Sequence, residues 1–169
     1  MLTKDMAAVI IEPSQGSNPR TDVGEFLLEL KKRCNELNIV LIFDEVMSGF
    51  RIAKGGGQEI FNIQPDLITY GKVLGGGFPI GCLGGKTEIM NTNNVFFGGT
   101  FSANPLSMYS AKNILKCMEE GILIDYDYLQ SIGQYFRRSL NEYFLLYNIP
   151  KRVIGCGAIN RILHTDKFV

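Results

Sequence analysis

Three polar side chains in this sequence stand just beyond short apolar runs. Glu12 follows Ala7 to Ile11, Asp44 follows Ile39 to Phe43, and Lys72 lies two residues after the DLITY segment, Asp66 to Tyr70. In an open α/β sheet, ligands bind beyond the carboxyl ends of the strands, which is where these groups would sit. A carboxylate such as Asp44 at a sheet rim is partly desolvated and needs a cation or a hydrogen-bond donor. Lys72 follows Gly71, stands shortly before Gly75-Gly76-Gly77, and has no acidic neighbour in sequence. A lysine amine kept neutral by an apolar, glycine-lined pocket is a nucleophile toward carbonyl carbon and forms Schiff bases. The same pattern also fits a structural ion pair between Asp44 and Lys72, or two side chains in solvent. Spacing alone leaves these readings open.

A second chemical feature is Gly98-Gly99-Thr100, shortly ahead of Asn104-Pro105. Backbone amides and a hydroxyl near a helix start can hold a phosphate, although an ordinary turn reads the same way. Two familiar phosphate motifs fail. Gly81 to Thr87, GCLGGKT, falls one residue short of a P-loop, because Ile80 occupies the place of the first glycine. GxGxxG is not completed either: Ile80 and Ile60 take the last position counted from Gly75 and Gly55. His164, the only histidine, lies beside Asp166 and reads as structural or exposed. Cys82 lies among glycines, with nothing in sequence to activate it. No cluster has metal-ligand spacing, so no metal is expected.

The elements that would position these groups alternate between strand and helix. Ala7 to Ile11 reads as a strand buried on both faces, ending at Glu12-Pro13. Thr21 or Asp22 would cap the next helix, with Glu25 completing a capping box after Asp22. Val23, Phe26, Leu27, Leu30, Cys34 and Leu37 recur at helical spacing, and Asn38 closes the helix. Ile39 to Phe43 is the second buried strand, parallel to the first through a right-handed crossover. Asp66 to Tyr70 and Ile80 to Leu83 read as further strands of the same sheet, and Thr87 to Met90 as a short helix. Asn104 caps a helix that has Pro105 in its first turn and ends at Gly121. Another spans about Asp125 to Tyr147, with Leu129, Ile132, Phe136, Leu140, Phe144 and Tyr147 as a core or interface stripe. Ile159 to Leu163 would be a strand of a second subdomain. The fold class expected is α/β.

Composition narrows the partners. The chain has 169 residues, 46% hydrophobic and 20% charged, with 17 basic side chains against 17 acidic ones. That balance argues against nucleic-acid binding by bulk charge. Its aliphatic stretches are too short to span a bilayer, and Asp5 and Glu12 interrupt any signal-peptide core, so no membrane is expected. Cys34, Cys82, Cys117 and Cys156 form no CxxC pair, which fits a reducing cytoplasm. Of the 19 glycines, 13 fall between Gly49 and Gly99, either as tight turns or as loops around a ligand.

LIFDEVMSGFR (Leu41 to Arg51), GGQEIFNIQPDLITYGKVLGGGFPIG (Gly56 to Gly81) and GGTFSANP (Gly98 to Pro105) resemble class III pyridoxal-phosphate aminotransferases. Within that class they are most similar to glutamate-1-semialdehyde aminomutases and to the aminotransferase domains of polyketide and nonribosomal peptide synthetases. The resemblance implies a fold-type I transferase acting on a small amino or keto substrate. Lys72 would hold pyridoxal 5'-phosphate as an internal aldimine and then act as the base. Asp44 would pair with the pyridine nitrogen. Val46 would pack on the ring, and Thr100, beside Gly99, would bind the phosphate, usually across a dimer. Glu12 matches the family's EP motif, in a supporting role.

In the family a long N-terminal portion precedes the segment seen here and carries much of the phosphate and substrate pocket. The resemblance therefore makes 1–120 the C-terminal part of the cofactor-binding large domain, and 121–169 a linking helix with the beginning of a small domain. A homodimer, a partner supplying the N-terminal part, or a non-catalytic fragment are the expected states. The motifs leave aminomutase and aminotransferase open.

Overall fold

The computed structural model describes residues 2–91, 98–122 and 124–165. Four strands form one sheet in the order β1-β2-β3-β4. β1 (Ala8–Ile11) and β2 (Val40–Asp44) are parallel, with Ala8 opposite Val40 and Ile11 opposite Phe43. β3 (Leu67–Tyr70) continues the parallel set, with Asp44 opposite Thr69. β4 (Cys82–Gly85) turns back antiparallel, with Tyr70 opposite Cys82. It starts two residues later than the apolar run at Ile80 predicts.

The helix between β1 and β2, α1 (Gly24–Leu37), covers one face of the sheet. Leu27 and Cys34 of α1 meet Leu41 and Phe43 of β2, together with Ile39, Ile63 and Ile68, in a buried core. Each large apolar side chain so enclosed contributes about 1.5–3 kcal/mol. The predicted capping box does not form. α1 starts at Gly24 without a side-chain cap, because both Asp22 oxygens are taken by the Arg20 guanidinium at 2.7 and 2.5 Å. Asn38 does close the helix, in the left-handed conformation at φ 56°. β1 is also not buried on both faces: it is an edge strand of the described sheet, and Ile10 is 62% exposed.

Asp66 locks the opposite end of the sheet. Its Oδ2 accepts from Leu41 N at 2.9 Å, and its Oδ1 binds Lys31 Nζ of α1 at 2.8 Å and Lys86 Nζ at 2.6 Å. Burial pushes this carboxyl up, but the donors outweigh it and hold it at about 2. Lys86, the lysine of the GCLGGKT segment, is thus a structural cation.

Two short helices, α2 (Gly56–Phe61) and α3 (Thr87–Met90), flank β3 and β4 in sequence. α4 (Pro105–Glu119) begins as predicted, with Asn104 Oδ1 accepting from Leu106 N and Ser107 N. α5 (Tyr126–Leu146) is capped by Asp125. A hairpin of β5 (Lys151–Cys156) and β6 (Ile159–His164) forms the second sheet. Asn141 of α5 clamps it, accepting from Val153 N at 2.7 Å and donating to Val153 O at 3.0 Å. The expected α5 stripe is only partly used. Phe144 is buried, whereas Ile132, Phe136 and Tyr147 are exposed. His164 is exposed opposite Lys151, and its sequence neighbour Asp166 lies outside the described residues. No helix among the described residues is long and apolar enough to cross a membrane.

Candidate active site

The parallel register of β2 and β3 brings their carboxyl ends side by side, with Asp44 opposite Thr69. Asp44 Oδ1 accepts from the backbone N–H of Val46 at 3.0 Å and from the Thr69 hydroxyl at 3.3 Å. Among the described residues no donor reaches Oδ2. The ladder extends one step further, through Glu45 N to Thr69 O at 3.0 Å. Next comes Gly71, whose extended backbone runs between two obstacles. A Cβ there would lie 3.3 Å from Ile80 O and 3.4 Å from Val46 Cγ1. The side chain of Val46 therefore packs over the backbone that leads directly into Lys72.

Lys72 opens a 3₁₀ turn, Lys72–Gly75, with φ at 44°. Left-handed backbone is uncommon for a residue with a side chain, and it collects at functional sites. Its side chain is exposed, not enclosed in a glycine-lined pocket, because Gly76, Gly77 and Phe78 are exposed around it. Among the described residues Lys72 makes no ion pair with Asp44. The carboxylate and the amine thus stand at neighbouring strand ends without neutralising each other.

Glu45 is the residue that spacing does not single out. It is wholly buried, accepting from Ser48 Oγ at 2.5 Å, Gly57 N at 2.5 Å and Gln58 N at 3.2 Å. Burial pushes its carboxyl up, against the hydrogen bonds that favour the charge. This clasp explains one glycine cluster. Gly56 has φ 67°, and a Cβ there would lie 2.6 Å from Glu45 Oε2, while one on Gly57 would meet Pro13 Cγ at 2.5 Å. These glycines let α2 close onto Glu45 and so hold the turn that follows Asp44. Its only sequence signal is that it is a second acid directly after an apolar strand, which does not reveal its partners.

The aromatic floor beside the turn is Tyr70, whose ring centroid lies 4.9 Å from that of Phe50. Burial raises the Tyr70 phenol to about 12, so it stays neutral. Glu12 Oε2 accepts from Gly16 N at 2.8 Å, and a Cβ on Gly16 would lie 3.3 Å from Met47 Cε. Glu12 therefore shapes the loop that abuts the Asp44 turn. Gly99 and Thr100 stand apart. Both are exposed ahead of α4, and among the described residues no hydrogen bond links them to Asp44, Val46 or Lys72.

Residues 1–167 match the profile of the aminotransferase class-III family. The chain belongs to that family. Over 170 residues it is 39% identical to glutamate-1-semialdehyde 2,1-aminomutase 2 of Lachnoclostridium phytofermentans, covering 98% of this chain and 40% of that protein. With the glutamate-1-semialdehyde 2,1-aminomutase of Bdellovibrio bacteriovorus it shares 48% identity over 121 residues, 69% of this chain and 28% of that one. An omega-transaminase from Sphaerobacter thermophilus superimposes with TM-score 0.82 at 34% identity, covering 95% of this chain and 37% of the other. A beta-phenylalanine aminotransferase from Variovorax paradoxus gives 0.81 at 26% identity, over 98% and 39%. The mixed, largely parallel sheet is thus part of the fold-type I architecture of class-III aminotransferases, as its motifs imply. The chain spans about 40% of the length of the first of these curated relatives.

Proposed function

We propose that this class-III chain carries the cofactor-lysine portion of an enzyme that moves amino groups on small molecules, of the glutamate-1-semialdehyde aminomutase kind. The observation that carries the reading is the convergence of Asp44, Val46 and the Lys72 turn at the ends of adjacent parallel strands. Their chemistry fits pyridoxal 5'-phosphate. Asp44 offers an oxygen without a donor among the described residues, Val46 offers an apolar face, and Lys72 offers an exposed amine. When bound, that cofactor supplies a carbonyl carbon that captures amines and a cationic ring that accepts the electron pair of a deprotonated carbon.

Each residue then has a definite task. Asp44, through its open oxygen, would hold the ring nitrogen of the cofactor and favour the protonated form of the ring. Thr69 and the Val46 amide fix the carboxylate through Oδ1. Val46 covers one ring face. Lys72 Nζ would hold the cofactor and would serve as the base that moves a proton at substrate carbon. Thr100, with Gly99, holds the phosphate, reaching the site across a dimer, while Glu12 supports the Asp44 turn.

The curated relatives favour an aminomutase, which interconverts positions within one molecule and needs no external amino donor. A transaminase on another keto or aldehyde substrate is the alternative, supported by the structural likeness to omega-transaminase. We further propose that 1–120 belongs to the large domain and 121–169 to the linking helix and small domain, in line with the two separate sheets. A second copy of the chain, or a polypeptide supplying the remaining length of the relatives, completes the site. Four free cysteines, two of them buried, support a cytoplasmic setting.

The test is a titration of the chain with pyridoxal phosphate. Wild type is expected to develop a visible absorbance that borohydride discharges, and Lys72→Ala is expected not to. Identical spectra would leave a non-catalytic module as the better reading.

A further inference from the structure

We propose that Ser110 of α4 is a positioning residue for Lys72, acting through the carbonyl of Gly75; this rests on the reading of Lys72 as the cofactor lysine. Ser110 Oγ donates to Gly75 O at 2.8 Å, a bond between positions 35 apart in sequence. Gly75 ends the 3₁₀ turn that Lys72 begins. Around that turn the backbone is tied by Leu74 N to Gly71 O at 3.1 Å, Gly76 N to Val73 O at 3.0 Å and Phe78 N to Gly75 O at 3.0 Å. A 3₁₀ turn has poorer hydrogen-bond geometry than an α-helix and is used in short pieces. This one is also bounded by left-handed residues, Lys72 at φ 44°, Gly76 at 56° and Gly77 at 100°. Outside the turn, α4 is the element in contact with it.

The contact is close. A Cβ on Gly76 would lie 2.9 Å from Ser110 Oγ and 3.1 Å from Ile114 Cδ1, so α4 touches the backbone itself. α4 is in turn fixed by its Asn104 cap and by the buried side chains Ser107, Ala111 and Met118. Ser110 lies on this inward side of the helix. Serine is a weaker helix former than alanine, and mid-helix serines commonly bond back to a carbonyl on their own helix. Ser110 instead directs its hydroxyl at the lysine turn. A purely helical role would be served as well or better by alanine. What alanine cannot do is tie Gly75 O, which also accepts from Phe78 N, to α4, and with it the left-handed backbone that sets the direction of the Lys72 side chain.

The test compares the full chain with Ser110→Ala and Ser110→Thr. After pyridoxal phosphate and borohydride treatment, labelling at Lys72 is measured against labelling at exposed Lys54 in the same digest. Hydrogen exchange is followed in the 72–78 peptide, with an α1 peptide as control. Ser110→Ala is expected to lower the Lys72-to-Lys54 ratio about tenfold and to speed exchange in 72–78 by a similar factor, the worth of one hydrogen bond. Exchange in α1 should be unchanged, and Ser110→Thr should restore both readings. A wild-type preference for Lys72 that survives unchanged in Ser110→Ala, with unaltered exchange, would overturn the positioning role. Absence of any wild-type preference for Lys72 would instead overturn the cofactor-lysine reading, and this proposal with it.

Discussion

Asp44 and Glu45 are adjacent acids with opposite fates. Asp44 keeps one oxygen open at the strand end, while Glu45 turns inward and spends both of its oxygens on Ser48, Gly57 and Gln58. Removing Glu45 leaves two amides and a hydroxyl without their acceptor in a buried site. Glu45→Ala is expected to cost about 3 kcal/mol in urea melts, and Glu45→Gln less than half of that. The amide of the glutamine variant still accepts from the two backbone N–H groups and can donate to Ser48. Equal losses in the two variants would mean that the negative charge, not the acceptor geometry, matters. The placement of Asp44, Val46 and Lys72 at neighbouring strand ends was legible in sequence, because a strand-end acid and a lysine among glycines are chemically conspicuous. Glu45 was hidden because its partners are backbone amides 12 and 13 residues away, and an amide has no sequence signature.

At the scale of elements, Asp66 is the tie that holds α1, β2 and the strand pair β3–β4 in register. Its carboxyl sits at about 2 in the folded chain, below the ordinary 3.8, because Lys31, Lys86 and Leu41 N outweigh the burial that opposes them. The folded state therefore gains from this carboxylate above about pH 4 and loses that gain as the pH falls from about 4 toward 2. The stability difference between wild type and Asp66→Asn is expected to be about 2 kcal/mol at pH 6 and to vanish near pH 2. Urea titrations at several pH values would show it, and a difference independent of pH would contradict it. The long helices and the parallel strands were legible from periodicity and apolar runs. The α1 capping box failed because Arg20, two residues away, captured Asp22 first. α2 and β5 escaped notice for a related reason. α2 is a six-residue helix opening on two glycines, and β5 begins with two exposed cations, so tertiary contacts define both.

At the scale of the whole molecule, the described residues leave surfaces uncovered. β1 and β4 each pair on one side only within the described sheet. Beside α4 lies an apolar groove of about 840 Å³ bordered by Tyr70, Leu74, Met108 and Leu115. On α4 and just ahead of it, Phe101 is 85% exposed, Tyr109 71% and Leu106 66%. Large contiguous apolar patches commonly mark association surfaces, and self-association through α4 is the expectation. The sedimentation coefficient of the chain is expected to rise with concentration, and Leu106→Glu with Tyr109→Glu should reduce that rise; a concentration-independent monomer would contradict it. The fold class was readable from the alternation of strand and helix. How the proposed phosphate role of Thr100 joins the Lys72 turn was not, since no hydrogen bond among the described residues connects them. The central claim is that Lys72 is the cofactor lysine, and mass-spectrometric mapping after pyridoxal phosphate and borohydride tests it most directly. The pyridoxyl group should be found on Lys72 ahead of every other lysine; an even spread over exposed lysines such as Lys54 and Lys112 would contradict it.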